Sequence, residues 1–312
     1  MNIQKFFANK PLILSPMAGV TDFAFRSLAR EYGADMTISE MVSAKAISMK
    51  SAKTIDLLHT LDNESPKAVQ LFGHEPEAIK IACQDKNMDK FDIIDFNCGC
   101  PAPKIVNNGD GSAMMRDIEK ARECISTLVK YSNKPVSVKF RKGIDGVENY
   151  LEFGKMCEEC GVAFVTLHPR TREQGYSGVA DYEAVKQLKS ILNIPVVLSG
   201  DIVDKSSLDK AKSTGADGFM IGRATMGCPW IFNSLKGLPT PQPMAIAERH
   251  LNLLLEHYKD ERFVVPYFKK HLAWYTKDMH GASALKKEIC LYTSLDQLRS
   301  AINTLSNPQA TT

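Results

Sequence analysis

The chain has 312 residues, 44% hydrophobic and 24% charged, with a formal net charge of +3. Those figures exclude the disordered and fibrous classes, permit a nucleic-acid partner without requiring one, and make eight cysteines far too sparse for a small disulfide-held secreted domain. The opening MNIQKFFANKPLIL has no signal-peptide core and no run approaches the ~18 apolar residues of a membrane span, so a cytoplasmic protein with reduced thiols is expected.

Short apolar runs rich in β-branched residues recur from residue 11 onward: PLILSPM (11–17), MTISEMV (36–42), KAVQLFG (67–73), FDIIDFN (91–97), PVSVKFR (135–141), FVTLHPR (164–170), PVVLSGD (195–201) and GFMIGRA (218–224). Helical patterns lie between most of them, among them DFAFRSLAREYG, IEKARECISTLVKYS, VENYLEFGKMCEECG, YEAVKQLKSIL and DKSSLDKAKSTG, several closing on glycine. Near-continuous apolar strands alternating with helices imply a parallel sheet covered on both faces. A doubly wound open sheet is the alternative. Eight units, with polar residues gathered at the carboxyl ends of the runs, favour an α/β fold of the (β/α)₈ TIM-barrel type. After GLPTPQPM (237–244) the pattern turns wholly helical, in AERHLNLLLEHYKD, VVPYFKKHLAWYTKDM, ALKKEICLYTS and LDQLRSAINTL, with a frayed NPQATT tail. The expected organisation is a barrel over 1–238 and a small all-helical C-terminal domain over 239–312.

In a barrel the carboxyl ends of the strands carry the site. Run seven ends in Ser199, Gly200 and Asp201, and run eight in Gly222 and Arg223. Glycines there let a ligand approach the backbone, and an arginine beside them points to a phosphate-bearing cofactor rather than to strand ends alone. Lys139 interrupts an apolar run, and an unpaired buried lysine costs several kcal/mol, so it must face a counter-charge or water. His168, before a proline, is either a core histidine or a site residue; with Gln70 and Lys139 it suits a ring that gains negative charge, such as a reduced flavin. SPMAGVTD (15–22) offers small residues for a planar ligand, and Asp22 is placed to cap the next helix.

DFNCGCPAPK (95–104) sets Cys98 and Cys100 one residue apart. A structural zinc site needs four ligands, and the other close pair, Cys157 and Cys160, falls inside a helix, so no metal is expected. A disulfide across one residue is awkward. Cys100, next to Pro101 and opening the Gly- and Asn-rich loop APKIVNNGDGSAMM, reads as a single working thiol. A thiol that no base partner ionises is mostly protonated at neutral pH and can donate a proton to carbon, so the expected role is that of an acid rather than an acylating nucleophile.

Together PMAGVTD, Gln70, NCGCPAPK with the downstream GDGSAMM, Lys139, LHPRT around His168, SGD and IGRA resemble the bacterial tRNA-dihydrouridine synthases, most closely the DusB-like group. The resemblance spans essentially the whole chain. It implies an FMN-containing barrel followed by a helical tRNA-binding domain, acting as a monomer with NADPH or NADH as reductant. Pro16, Met17 and Ala18 would meet the flavin through backbone, with Gln70, Lys139 and His168 around the ring. Ser199, Gly200, Asp201, Gly222 and Arg223 would hold the ribityl-phosphate end. Cys100 takes the proton-donor position, and Asn97, Lys104, Arg141 and Arg170 the substrate side. Ser199 departs from the asparagine the family often carries, which leaves its backbone for that role; Cys98 is read as a bystander.

The implied reaction reduces the C5–C6 double bond of a uridine in tRNA, with hydride delivered to C6 and a proton from Cys100 to C5. Lys142, Arg172, Lys269, Lys270, His271, Lys286 and Lys287, with Arg141 and Arg170, are candidates to line an RNA face, with Trp274 and Tyr275 nearby; the alternative is ordinary solvated charge. Two other readings stand beside this one. A flavin barrel acting on free pyrimidines would have little need of the helical extension. A non-catalytic RNA-binding flavoprotein would not depend on Cys100.

Overall fold

Each of the eight apolar runs forms a strand: β1 Leu12–Leu14, β2 Met36–Ser43, β3 Lys67–Phe72, β4 Ile93–Cys98, β5 Val136–Gly143, β6 Phe164–Thr171, β7 Val196–Ser199 and β8 Gly218–Ile221. In the computed structural model every strand pairs in parallel with its sequence neighbour, and β1 closes on β8 with Leu12 opposite Phe219 and Leu14 opposite Ile221. The result is the expected (β/α)₈ barrel. Residues 1–306 are described; the tail 307–312 lies outside the described residues.

Alternation along the strands sorts the barrel into two layers. Ile94, Phe96 and Cys98 of β4 and Val138 and Phe140 of β5 face outward into the core shared with the surrounding helices. The inward set begins as an apolar floor of Ile13, Ile38, Ala68, Ile93, Phe164, Val197 and Met220, against which Phe7 of the short helix Ile3–Phe7 packs. Two residues further along, the same inward positions become polar at Gln70, Asp95, Ser137 and Thr166, all buried. Asn97, Lys139 and His168 follow at the mouth. The lumen therefore runs from dry to polar, and it is polar where the loops can reach it.

Sequence periodicity assigned no helix to the connections after β2 and β3. The chain forms short turns of helix at Ala44–Ser48 and Ala52–Asp56 and a longer one at Pro76–Cys83, whose proline occupies its first turn, where no N–H is needed.

Beyond the barrel, helix Ile231–Lys236 ends on a left-handed Gly237, and four helices follow at Pro243–Tyr258, Glu261–Tyr275, Ala282–Leu291 and Leu295–Ser306. The first begins earlier than its apolar pattern suggested, because Pro243 sits in its first turn. These helices bury a cluster of their own that includes Leu251, Leu254, Val264, Phe268 and Leu272, and Phe23, Leu28 and Trp230 of the barrel side enter it. The packing is close enough for backbone to meet backbone: a Cβ on Gly227, whose φ is +70, would lie 2.0 Å from the Trp274 carbonyl oxygen.

At this junction sits Asp22, from the loop that follows β1. Its Oδ1 accepts from the Phe25 N–H at 2.9 Å, the expected helix cap, and its Oδ2 accepts from the Tyr267 hydroxyl at 3.2 Å. His250 Nε2 lies 3.4 Å and His271 Nε2 3.3 Å from the same carboxylate, and all three groups are buried. Burial alone would raise the Asp22 carboxyl, but His250 and then His271 outweigh it and hold it well below the ordinary range. Burial and the neighbouring His250 in turn push the His271 imidazole down to about 4. An unfolded histidine titrates near 6.5, so as pH falls below ~6.5 the unfolded chain takes up a proton that the folded chain refuses. The stability due to neutral His271 is complete above that pH and is lost on the way down towards 4. Lowering the pH from 7.5 to 5 is therefore expected to cost about 2 kcal/mol and roughly 5 °C in Tm; a thermal scan in which Tm holds or rises at pH 5 contradicts it.

Candidate active site

The loops at the carboxyl ends of the strands enclose a cavity of about 950 Å³. Pro16, Met17, Ala18, Gln70, Asn97, Cys100, Lys139, Arg141, His168, Ser199, Gly200, Asp201, Gly222 and Arg223 all line it. Residues read from seven separate stretches of sequence thus share one space, because inward strand positions and strand-end loops converge there.

Two expected substrate residues do not reach it. Lys104 is exposed on the short helix Pro103–Asn107, away from the cavity lining. Arg170 is buried in the wall, where Nε donates to the Ser177 carbonyl at 3.0 Å and Nη2 to the Gly178 carbonyl at 2.7 Å and to Asp201 at 2.6 Å. A guanidinium so engaged is a strut for the loop after β6. Asp201 is the other end of that strut: its carboxylate also takes the Ala180 N–H and an ion pair from Arg223 at 3.0 Å. It lines the cavity but offers its charge to two arginines.

Cys98 and Cys100, adjacent in pattern, separate completely. Cys98 faces outward into the helix-side core, where burial raises its thiol well above the usual value. Past Gly99 the chain turns, and Cys100 opens onto the cavity. Its backbone is held at both ends. Asn97 Oδ1 accepts from Cys100 N at 2.8 Å and Gly99 N at 3.1 Å, while the Cys100 carbonyl accepts from Ser112 N at 3.1 Å and Ser112 Oγ at 3.0 Å. Gly111, at φ +60, lets the loop return so closely that a Cβ there would stand 2.8 Å from the Cys100 oxygen. The same loop is clasped from the β3 end by His74 Nδ1, 2.8 Å from Asp110.

Positive charge dominates the walls. The Lys139 ammonium has no carboxylate ion-pair partner among the described residues, and burial, then Arg141, pushes it down to about 8. His168 is pushed to about 2 by burial, then by Lys139, Arg141, Arg170 and Arg223, so its ring is neutral. Arg141 anchors by Nε to the Gly99 carbonyl at 2.9 Å and by Nη1 to the Thr171 and Gly175 carbonyls at 3.0 Å each. A cavity walled this way favours an anionic ligand.

Two cavity-side groups escaped the sequence reading. Tyr176, 55% exposed, lines the mouth with its ring 4.6 Å from the Arg223 guanidinium carbon and 5.7 Å from that of Arg141. Only its place in the loop after run six marked it. Asp95 lies beneath the mouth, and the signal that singled out Lys139, a charge inside an apolar run, applies to it equally.

The proposed RNA face is also thinned. His271 and Tyr275 are buried in the helical cluster, and Lys142 is paired with Glu148 at 2.7 Å and Asp181 at 2.8 Å. Apolar spacing on Glu261–Tyr275 turns that face inward. Lys286 and Lys287 remain exposed, and Lys270 rests over the Tyr267 ring at 3.8 Å.

A closed parallel barrel with a thiol and a cationic wall at the carboxyl ends of its strands is the architecture of a barrel enzyme. The chain belongs to the dihydrouridine synthase (Dus) family, whose model matches residues 13–308. It is 35% identical to a probable tRNA-dihydrouridine synthase of Rickettsia bellii, covering 96% of this chain and 91% of that one. It is likewise 35% identical to tRNA-dihydrouridine synthase B of Vibrio parahaemolyticus, with 92% of each chain covered, and 34% identical to the protein of that name from Vibrio cholerae, with 97% of each covered. Among solved structures, FabK from Thermotoga maritima aligns at a TM-score of 0.47 with 17% identity over 72% of this chain and 62% of that one, a likeness too loose to argue from. No helix among the described residues is long and apolar enough to cross a membrane.

Proposed function

We propose that this chain is an FMN-dependent tRNA-dihydrouridine synthase, reducing the C5–C6 double bond of uridines in tRNA with NADPH or NADH as the source of electrons. The reading rests above all on one observation: Cys100, gripped at both ends of its peptide, opens into the same cavity as an unpaired Lys139 and a neutral His168. The residues fit the cofactor. A flavin with a phosphate tail would supply the negative charge that Lys139 and Arg141 lack, with Arg223, Gly222 and Gly200 lining the same cavity at the end suited to its phosphate.

When bound, FMN would supply the hydride for C6. The protein supplies the rest. Cys100 gives its proton to C5, so that hydride and proton together saturate the bond and leave a thiolate to be reprotonated from solvent. Asn97 and Arg141 bound the space beside the thiol and orient the base, while Lys139 and His168 face the cavity that takes the ring. Pro16, Met17 and Ala18 offer backbone rather than charge, which suits close approach by a flat ligand.

A uridine inside folded tRNA must be unstacked to enter a cavity of this depth. That requirement gives the helices after residue 242 their task, gripping the RNA while one base is held over the barrel. Such an enzyme works where tRNA is found, in the cytoplasm. Purified protein is expected to be yellow, and deletion of its gene to remove dihydrouridine from defined tRNA positions, read by mapping the modification in total tRNA. Unchanged dihydrouridine at every position in a strain with no other synthase overturns the proposal.

A further inference from the structure

Below the mouth, a single file of hydrogen bonds links three strands to the cysteine. Ser137 Oγ donates to Asp95 Oδ1 at 2.6 Å, and Gln70 Nε2 donates to Asp95 Oδ2 at 2.7 Å. Asn97 Nδ2 then donates to Gln70 Oε1 at 2.8 Å, and Asn97 Oδ1 accepts from the N–H groups of Gly99 and Cys100. Strand register makes the file possible, since Gln70 stands opposite Asp95 and Asp95 opposite Ser137.

The direction of the file follows from its two ends. Backbone N–H groups only donate, so Asn97 must turn Oδ1 towards Cys100 and Nδ2 towards Gln70. An ionised carboxylate only accepts, so Gln70 must turn Nε2 towards Asp95 and Oε1 towards Asn97. Reversing either amide would set donor against donor somewhere along the line, in a fully buried place where an unmade bond costs ~1–3 kcal/mol.

We infer that Asp95 is a positioning residue: acting through Gln70 and Asn97, its carboxylate fixes the place of the Cys100 thiol. The inference rests on the reading of Cys100 as the proton donor. Asp95 is remote from solvent, at 0% exposure, and has no other partner that would explain a carboxylate at this depth apart from the nearby charge of Lys139. Burial pushes its carboxyl up to about 6, against the opposing pull of Ser137, Gln70 and Lys139, and it remains an acceptor at neutral pH.

The test compares Asp95→Ala with Asp95→Asn in the holoprotein. Cys100 is alkylated with iodoacetamide and quantified by peptide mass spectrometry against exposed Cys290 in the same sample. Single-turnover transfer from the reduced holoprotein to tRNA is followed in parallel. Asp95→Ala is expected to change the Cys100-to-Cys290 ratio about fivefold or more and to slow transfer roughly 10- to 100-fold without raising KM for tRNA, as ~1 Å of misplacement does. Asp95→Asn can keep Oδ1 towards Gln70 while its Nδ2 bonds to Ser137, and is expected to restore the ratio and most of the rate. An unchanged ratio in Asp95→Ala, an Asn variant as impaired as the Ala variant, or a loss confined to KM overturns the inference. Should Asp95→Ala fail to fold, Gln70→Met cuts the file one link later and must shift the ratio in the same way. If the unmodified protein transfers nothing to tRNA, the proposed function fails, while the alkylation ratio still decides the role of Asp95.

Discussion

Replacing Cys100 with alanine is expected to slow uridine reduction by about 10²- to 10⁴-fold while leaving the protein folded and yellow. The thiol contributes no packing that the fold requires, because it opens onto the cavity, and the hydrogen bonds that shape its loop are made by its backbone. Alanine keeps that backbone. What disappears is the proton for C5, so the loss should fall on the chemical step, with binding of tRNA and retention of flavin unchanged. Cys100→Ser, which keeps a hydroxyl donor in the same place but a much weaker acid, should fall between the two. Rapid-mixing of the reduced protein with tRNA, with the flavin absorbance as signal, measures the step directly. An alanine variant that reoxidises at the full rate, and forms dihydrouridine in doing so, would falsify the assignment of Cys100 as the acid.

A second large effect is expected far from the chemistry. Gly227→Ala would push a Cβ to 2.0 Å from the Trp274 oxygen, 2.2 Å from its carbonyl carbon and 2.7 Å from Tyr275 N. All three are backbone atoms of helix Glu261–Tyr275, so no side chain can rotate to make room. Either the loop after β8 or the helix must move, opening the cluster that holds the C-terminal helices to the barrel. The expected cost is about 4 kcal/mol or more, a fall of ~10 °C in Tm or loss of soluble protein. Gly237→Ala is the control. It shares the left-handed backbone, φ +71, but a Cβ there meets nothing within 4 Å, so it should cost only the ~1–2 kcal/mol of that conformation. Equal Tm values for the two variants would mean that the close contact carries no weight.

Much of the barrel was legible because strand and helix patterns depend on near neighbours in the chain. Eight β-branched runs, their polar carboxyl ends and most of the intervening helices follow from periodicity, and the cavity collected nearly all the residues those ends proposed. Asp22 was recognisable as a cap for the same reason, since its partner is three residues away. The two residues that miss the cavity do so for different reasons. Lys104 falls on the exposed short helix Pro103–Asn107 past the strand end, while Arg170 is turned by a loop elsewhere: the carbonyls of Ser177 and Gly178 and the carboxylate of Asp201 claim it.

The sequence by itself therefore determined the barrel, the strand ends around which the cavity forms, and the thiol that the proposed function places at its centre. Only the tertiary structure decided that Cys98 and Cys100 part company, that Asp22 answers to helices more than two hundred residues away, and that Asp95 roots a file of amides reaching Cys100. Periodicity is a local property and survives in one dimension. Hydrogen-bond direction and side-chain competition involve groups distant in sequence, and they take definite form only once closure of the barrel has brought those groups within reach.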